Sequence, residues 1–170
     1  LKGVYGSAEF VSWYNGHPDF MDLNPDLDTQ NVVVIGNGNV AIDIVRVLSK
    51  TFQEMSESDI PDYALNSINK SAVKSLYLVG RRGPVEAKFT NVELREMGNL
   101  KNCLPIVNDF DLPNKLEGDF SERDSRLIEK NLETLKSFSS IEKANKEKKL
   151  NFIFFRKPIE IIGNEKVESI

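Results

Sequence analysis

Val32-Val33-Val34-Ile35-Gly36-Asn37-Gly38-Asn39-Val40-Ala41 runs from an apolar, β-branched segment straight into G-x-G-x-x-A and then into an amphipathic stretch. That order predicts a strand over Asn31 to Ile35, a tight turn, and a helix over Val40 to Lys50. Val40, Ile44, Val47 and Leu48 recur at helical spacing on its apolar side, and Asp43 and Arg46 mark its polar side. Gly36 permits the turn, Gly38 lets the backbone approach a pyrophosphate, and Ala41 keeps the helix close to the strand. Phosphates can then sit on the helix N-terminus.

A second buried-type strand, Leu76-Tyr77-Leu78-Val79, flows into Gly80-Arg81-Arg82-Gly83-Pro84. NAD sites place a carboxylate at this point for the ribose hydroxyls, whereas a 2′-phosphate calls for guanidinium. The two features together predict an NADP(H) site. A competing reading makes Gly36 and Gly38 an ordinary turn and leaves Arg81 and Arg82 as solvated surface charges. The strand before the glycine motif and the helix after it supply the context that the dinucleotide reading requires.

The 170 residues suffice for one full domain with a sizeable core and are short for two. A hydrophobic content of 40% and a charged content of 28% fit an ordinary globular protein. No apolar run approaches the roughly 20 residues of a membrane-spanning helix. The net charge of −4 argues against a general nucleic-acid binder, which needs a basic face. Cys103, the single cysteine, excludes an internal disulfide framework and reads as a small buried hydrophobe rather than a reactive thiol. His17, the single histidine, lies between Gly16 and Pro18 and reads as a solvated loop residue rather than a general base. These two with the scattered carboxylates make no metal-ligand spacing, and no catalytic triad is expected. Beginning at Leu1 without Met and ending in Glu168-Ser169-Ile170, the chain reads as a piece of a longer protein whose targeting signal cannot be seen here.

Elsewhere, Ser7 to Tyr14 reads as a short helix ended by Asn15-Gly16. Thr51 to Ser75 is an insertion that delays the second strand beyond the roughly 20-residue interval of the simplest Rossmann unit. Within it, Pro61 to Lys70 predicts a helix with Asp59 or Ser58 as its cap. Thr90-Asn91-Val92-Glu93 has the T-x-x-E form of a capping box opening a helix from Asn91 to Leu100. Leu104 to Val107 is a candidate third strand and Asp109 to Gly118 a loop. Ser121 to Lys149 predicts one long surface helix with a break near Ser137 to Ser140. Leu150 to Phe155 is strand-like, and Ile159 to Ile162 turns at Gly163-Asn164.

Four blocks, Phe10-Val11-Ser12-Trp13-Tyr14-Asn15-Gly16, Gly36-Asn37-Gly38-Asn39-Val40-Ala41-Ile42-Asp43, Val79-Gly80-Arg81-Arg82-Gly83-Pro84 and Glu93-Leu94-Arg95-Glu96-Met97, resemble in order and spacing the NADP-binding domain of the adrenodoxin reductase family, the mitochondrial-type ferredoxin:NADP reductases. The resemblance covers nearly the whole chain. It implies an α/β, Rossmann-like three-layer domain with a mostly parallel sheet, occupying residues 1–170 as one part of a two-domain flavoprotein. In such an enzyme NADPH reduces FAD, held mainly outside this stretch, and the flavin passes single electrons to an acidic iron-sulfur ferredoxin. Mitochondrial placement is implied in the same way.

By this resemblance Gly36, Asn37, Gly38, Asn39, Val40 and Ala41 form the phosphate-binding segment. Arg81 and Arg82 grip the 2′-phosphate, and Glu93 helps to position the adenosine ribose, a role that stands beside its reading as a capping-box partner. Arg95 and, more loosely, Arg126 are implied in ferredoxin docking. Glu122 and Asp124 interrupt the basic cluster around Arg126, which also reads as part of a solvated helix face with Lys130, Glu122 and Glu129. A stand-alone nucleotide-binding module without chemistry of its own is the alternative function. A flavoenzyme that reduces a disulfide is a third reading, and the absence of C-x-x-C speaks against its dithiol site in this domain.

Overall fold

Residues 1–142 and 146–170 are described by a computed structural model. The apolar segment Asn31–Ile35 forms strand β1, and the chain leaves it through Gly36, whose φ of +141° is open only to glycine. Helix α2, Asn39–Ser49, follows and buries Ala41, Ile44, Val45, Val47 and Leu48. Strand β2, Ser75–Val79, returns parallel to β1, with Val32 opposite Leu76 and Val34 opposite Leu78. Two further strands, β3 (Cys103–Val107) and β4 (Lys148–Ile153), complete a four-stranded, fully parallel sheet in the order β1-β2-β4-β3. Pro105 is accommodated because β3 lies at the sheet edge and pairs with β4 alone.

Alternation along the strands sorts the two faces. Leu76, Leu78, Leu150 and Phe152 point into the core, where the Phe152 ring meets Phe138 at 5.7 Å. The opposite face carries the cross-strand row Val33, Tyr77, Asn151 and Ile106, with Val33 40% exposed. Helix α1, Ser7–Tyr14, packs on α2 and buries Phe10, Trp13 and Tyr14. Helix α5 is Asn91–Asn99 and helix α6 is Glu122–Ser137. The two are joined by Asn91, whose amide donates to Lys130 O, Asn131 Oδ1 and Thr134 Oγ1 at 2.9–3.1 Å. Ile162–Gly163 and Val167–Ser169 form a short antiparallel pair, β5 and β6. No helix among the described residues is long and apolar enough to cross a membrane.

Three expectations are corrected. The long helix ends at Ser137 and a 3-10 turn occupies Phe138–Ser140, at the expected break. Lys148 and Lys149 then belong to β4, not to a helix, because their backbones are claimed by the ladder to β2 and β3. The part of that helix placed over residues 143–145 lies outside the described residues. Within the insertion, helix α4 (Asp62–Asn69) takes Pro61 as its N-cap. Ser58 does not cap it, since its hydroxyl donates to Met55 O at 2.6 Å. A helix that the sequence reading did not identify, α3 (Phe52–Ser56), precedes it and carries a capping box. Thr51 Oγ1 accepts from the Glu54 N–H at 3.3 Å, while Glu54 Oε2 accepts from the Thr51 N–H at 2.9 Å.

In α5 the expected Thr90–Glu93 capping box does not form. The Thr90 N–H that Glu93 would have accepted is donated at 2.7 Å to Asn39 Oδ1, on the first turn of α2. A tertiary contact displaces the local one. Cys103 is fully buried, and that burial pushes its thiol above the usual range, against the nearby lysine charges. His17 is solvated, with Nδ1 accepting from the Asp19 N–H.

Candidate dinucleotide-binding site

The glycine motif lies at the carboxyl end of β1, in the crevice that open α/β sheets use for ligands. Gly36 donates its N–H to Val79 O at 2.8 Å, tying the turn to the end of β2. Gly38 caps α2 in extended backbone, and a Cβ placed on it would meet no atom within 4 Å. Space is therefore open where a pyrophosphate would approach. The first turn of α2 carries no acidic residue, so its N-terminal partial charge is not offset by a side chain of that turn. Val40 is 54% exposed on that turn, while Ala41 is buried against the strand.

Asn37 links the two halves of the site. Its backbone carbonyl accepts from the Lys88 N–H at 2.6 Å, and its side chain lies over Gly80, where a Cβ would stand 1.7 Å from Nδ2. A side chain at position 80 would therefore displace the Asn37 amide. Both polar atoms of the Asn37 amide are buried without a hydrogen-bond partner, as is Glu93 Oε2 in the first turn of α5. Buried, unpaired polar atoms are costly, and Ser49 Oγ and Ser71 Oγ share that condition elsewhere in the fold. Asn39, through Thr90, sets the first turns of α2 and α5 side by side.

Arg81 and Arg82 follow β2 and are exposed, and neither has an ion-pair partner among the described residues. The structure thus gathers Gly36 to Ala41, Arg81 and Arg82 along neighbouring strand ends, with Glu93 on the helix that Asn39 holds beside them. Arg95 is exposed on α5. Arg126 lies on α6, where it pairs with Glu122 one turn before it, and both side chains are largely solvated. The solvated-face reading of Arg126 therefore describes its observed environment.

Below the crevice, Tyr14 donates to Asp43 Oδ2 at 2.5 Å, Arg46 Nε donates to Asp43 Oδ1 at 3.1 Å, and Arg46 lies 3.8 Å from Glu96. This network joins α1, α2 and α5. Burial, reinforced by the Asp43 carboxylate, pushes the Tyr14 phenol far above its usual range. Asp43 and Arg46 lie on the helix side expected to be polar, whereas their tyrosine partner was not foreseen. Lys88, paired to Asn37 through the backbone, and Asn131, whose amide donates to Phe89 O at 3.1 Å, were also missed. Their partners lie 40 or more residues away in sequence, and no local pattern marks them.

No family model matches this chain. It is similar to the mitochondrial NADPH:adrenodoxin oxidoreductase of Arabidopsis thaliana, 36% identical over 97% of this chain and 35% of that protein. The NADPH-ferredoxin reductase FprA of Mycobacterium tuberculosis is 37% identical over 100% of this chain and 37% of the relative. The solved structure of that FprA in complex with NADPH superposes with a TM-score of 0.88 at 35% identity, covering 99% of this chain and 37% of that one. The chain thus spans little more than a third of the length of these relatives. Along that span, with its glycine motif and arginine pair in an architecture shared with FprA, this chain belongs to the adrenodoxin reductase family of NADPH:ferredoxin oxidoreductases.

Proposed function

We propose that residues 1–170 form the NADPH-binding domain of a flavoprotein reductase that delivers electrons through FAD to an iron-sulfur ferredoxin. The observation that carries this reading is the pair of exposed guanidiniums at the end of β2, one contact away from a glycine turn with open space over Gly38. The residues fit the cofactor. Gly38 and the N–H groups of Asn39 to Ala41 receive the pyrophosphate, Arg81 and Arg82 form charge-assisted hydrogen bonds to the 2′-phosphate, and Glu93 faces the ribose.

The chemistry that a bound NADPH supplies is a hydride for the flavin, which the remainder of the protein holds. This chain contributes orientation, because hydride transfer depends on placement more than on acid or base groups. No catalytic residue is assigned here. The network of Tyr14, Asp43 and Arg46 fixes α2 from below, and the Asn39–Thr90 bond fixes it from the side.

For the ferredoxin we assign Arg95 ahead of Arg126, whose charge is already shared with Glu122. Association with an acidic partner through such residues is expected to be fast and salt-sensitive. Mitochondrial placement is part of the proposal. It is supported by the Arabidopsis and mouse relatives, while the mycobacterial relatives are bacterial.

The test is NADPH-dependent reduction of an iron-sulfur ferredoxin by the full-length protein loaded with FAD. Flavin bleaching by NADPH in preference to NADH, followed by ferredoxin reduction, is the expected result. Equal use of NADH, or a reduced flavin that never passes electrons to a ferredoxin, would contradict it.

A further inference from the structure

We propose that Phe155 is the platform on which the adenine ring of the dinucleotide rests, an inference that depends on the cofactor reading above and extends it. The ladder between β2 and β4 continues past both strand ends. Gly80 donates its N–H to Ile153 O at 2.8 Å, Arg156 donates to Gly80 O at 3.0 Å, and Phe155 donates to Arg82 O at 3.3 Å. Phe155 is therefore held directly beside the arginine pair.

The two phenylalanines at this strand end part company. Phe154 turns inward, 1% exposed, its ring 6.4 Å from that of Phe152. Phe155 turns outward, with 54% of its surface exposed and φ at +55°, a conformation that bulky side chains avoid. Its ring lies on Gly83, where a Cβ would come within 2.4 Å of Cζ and 2.7 Å of Cε1. A glycine at 83 thus makes room for the ring against the Arg82-Gly83 backbone. Core packing does not account for a strained aromatic held in solvent, whereas strain of this kind gathers at ligand sites.

Connectivity of the ligand narrows the role. With the pyrophosphate at Gly38 and the 2′-phosphate at Arg81 and Arg82, the adenine hangs from the same ribose as that phosphate. It must therefore lie near the arginines at the carboxyl ends of the strands. The neighbour of β2 on the side away from β1 is β4, and Phe155 is the exposed aromatic at its end. Phe110, also exposed, follows β3, one strand further out. A base presents a π-face to any aromatic ring, so the contact needs no hydrogen-bond complement.

The experiment uses the full-length, FAD-loaded protein and measures competition against NADPH by 2′,5′-ADP and by ribose 2,5-bisphosphate, which lacks the base. Phe155→Ala should weaken 2′,5′-ADP roughly five- to fiftyfold and leave the base-free ligand unchanged. Phe155→Tyr should keep the parent affinity for both. Arg81→Ala with Arg82→Ala should weaken both ligands. Unchanged 2′,5′-ADP binding in Phe155→Ala, or equal weakening of both ligands, would overturn the platform while leaving the 2′-phosphate site standing. If the double arginine variant alters neither ligand, the cofactor reading itself falls. Should Phe155→Ala not fold, Phe155→Leu, which keeps bulk without a π-face, gives the same discrimination.

Discussion

Single glycines in this chain have distinguishable tasks, and substitution separates them. Gly38 is in extended backbone that any residue adopts, with no atom within 4 Å of a Cβ. Gly38→Ala should therefore change stability by no more than about 0.5 kcal/mol. In the NADPH reading it should still lower cofactor affinity by about tenfold or more, the cost of about 1.4 kcal/mol for a methyl group against the pyrophosphate. Thermal unfolding and nucleotide titration of the one variant check both halves. Gly36→Ala differs, because φ of +141° is strained for alanine and should cost about 1–3 kcal/mol of stability. The task of Gly36 in the turn was legible from G-x-G-x-x-A alone. The tasks of Gly80 and Gly83 were not, since the atoms that exclude a side chain there come from Asn37 and Phe155, in other parts of the chain.

At the scale of elements, local patterns succeeded where the backbone had no better partner and failed where it had one. T-x-x-E occurs at Thr51 and at Thr90, yet only the first closes a capping box, because Asn39 takes the Thr90 N–H. Thr51→Ala should cost about 1 kcal/mol of stability, measured by thermal or denaturant unfolding. The acid dependence follows from Glu54. Burial pushes its carboxyl upward, but hydrogen bonds from Thr51 and the Lys101 N–H, with the Lys101 charge, leave it below the ordinary range. A lowered folded value means that this stabilisation is present above the ordinary carboxylate range and lost as pH falls through the lowered one. Thr51→Ala should flatten that loss. Tyr14 behaves in the opposite sense. Its raised phenol contributes stability below the ordinary tyrosine range, lost as pH climbs above it, so Tyr14→Phe should unfold less steeply in alkaline solution than the parent. The tyrosine–aspartate contact spans 29 residues and joins two helices, which no helical periodicity within either can disclose.

Across the whole molecule, the parallel order β1-β2-β4-β3 places the glycine motif, the arginine pair and Phe155 at three adjacent strand ends, although they are far apart in sequence. The α/β class and the first two strands followed from apolar runs punctuated by glycine. The placement of β4 between β2 and β3 did not, because strand order is set by packing rather than by any local signal. Electrostatics also acts at this scale. The chain is net negative at −4, so the proposed docking of an acidic ferredoxin would have to use local basic residues, and on that proposal Arg95→Glu should slow association and reduce its salt dependence in stopped-flow mixing. The measurement that bears most directly on the proposed cofactor is titration of the full-length, FAD-loaded protein with NADP and, separately, NAD, in the parent and in Arg81→Ala with Arg82→Ala. NADP should bind in preference to NAD in the parent. The double variant should lose that preference, at roughly 1.5–3 kcal/mol for each hydrogen bond to the 2′-phosphate, while its NAD affinity holds. Equal losses for both nucleotides, or no preference in the parent, would contradict a 2′-phosphate site at these arginines.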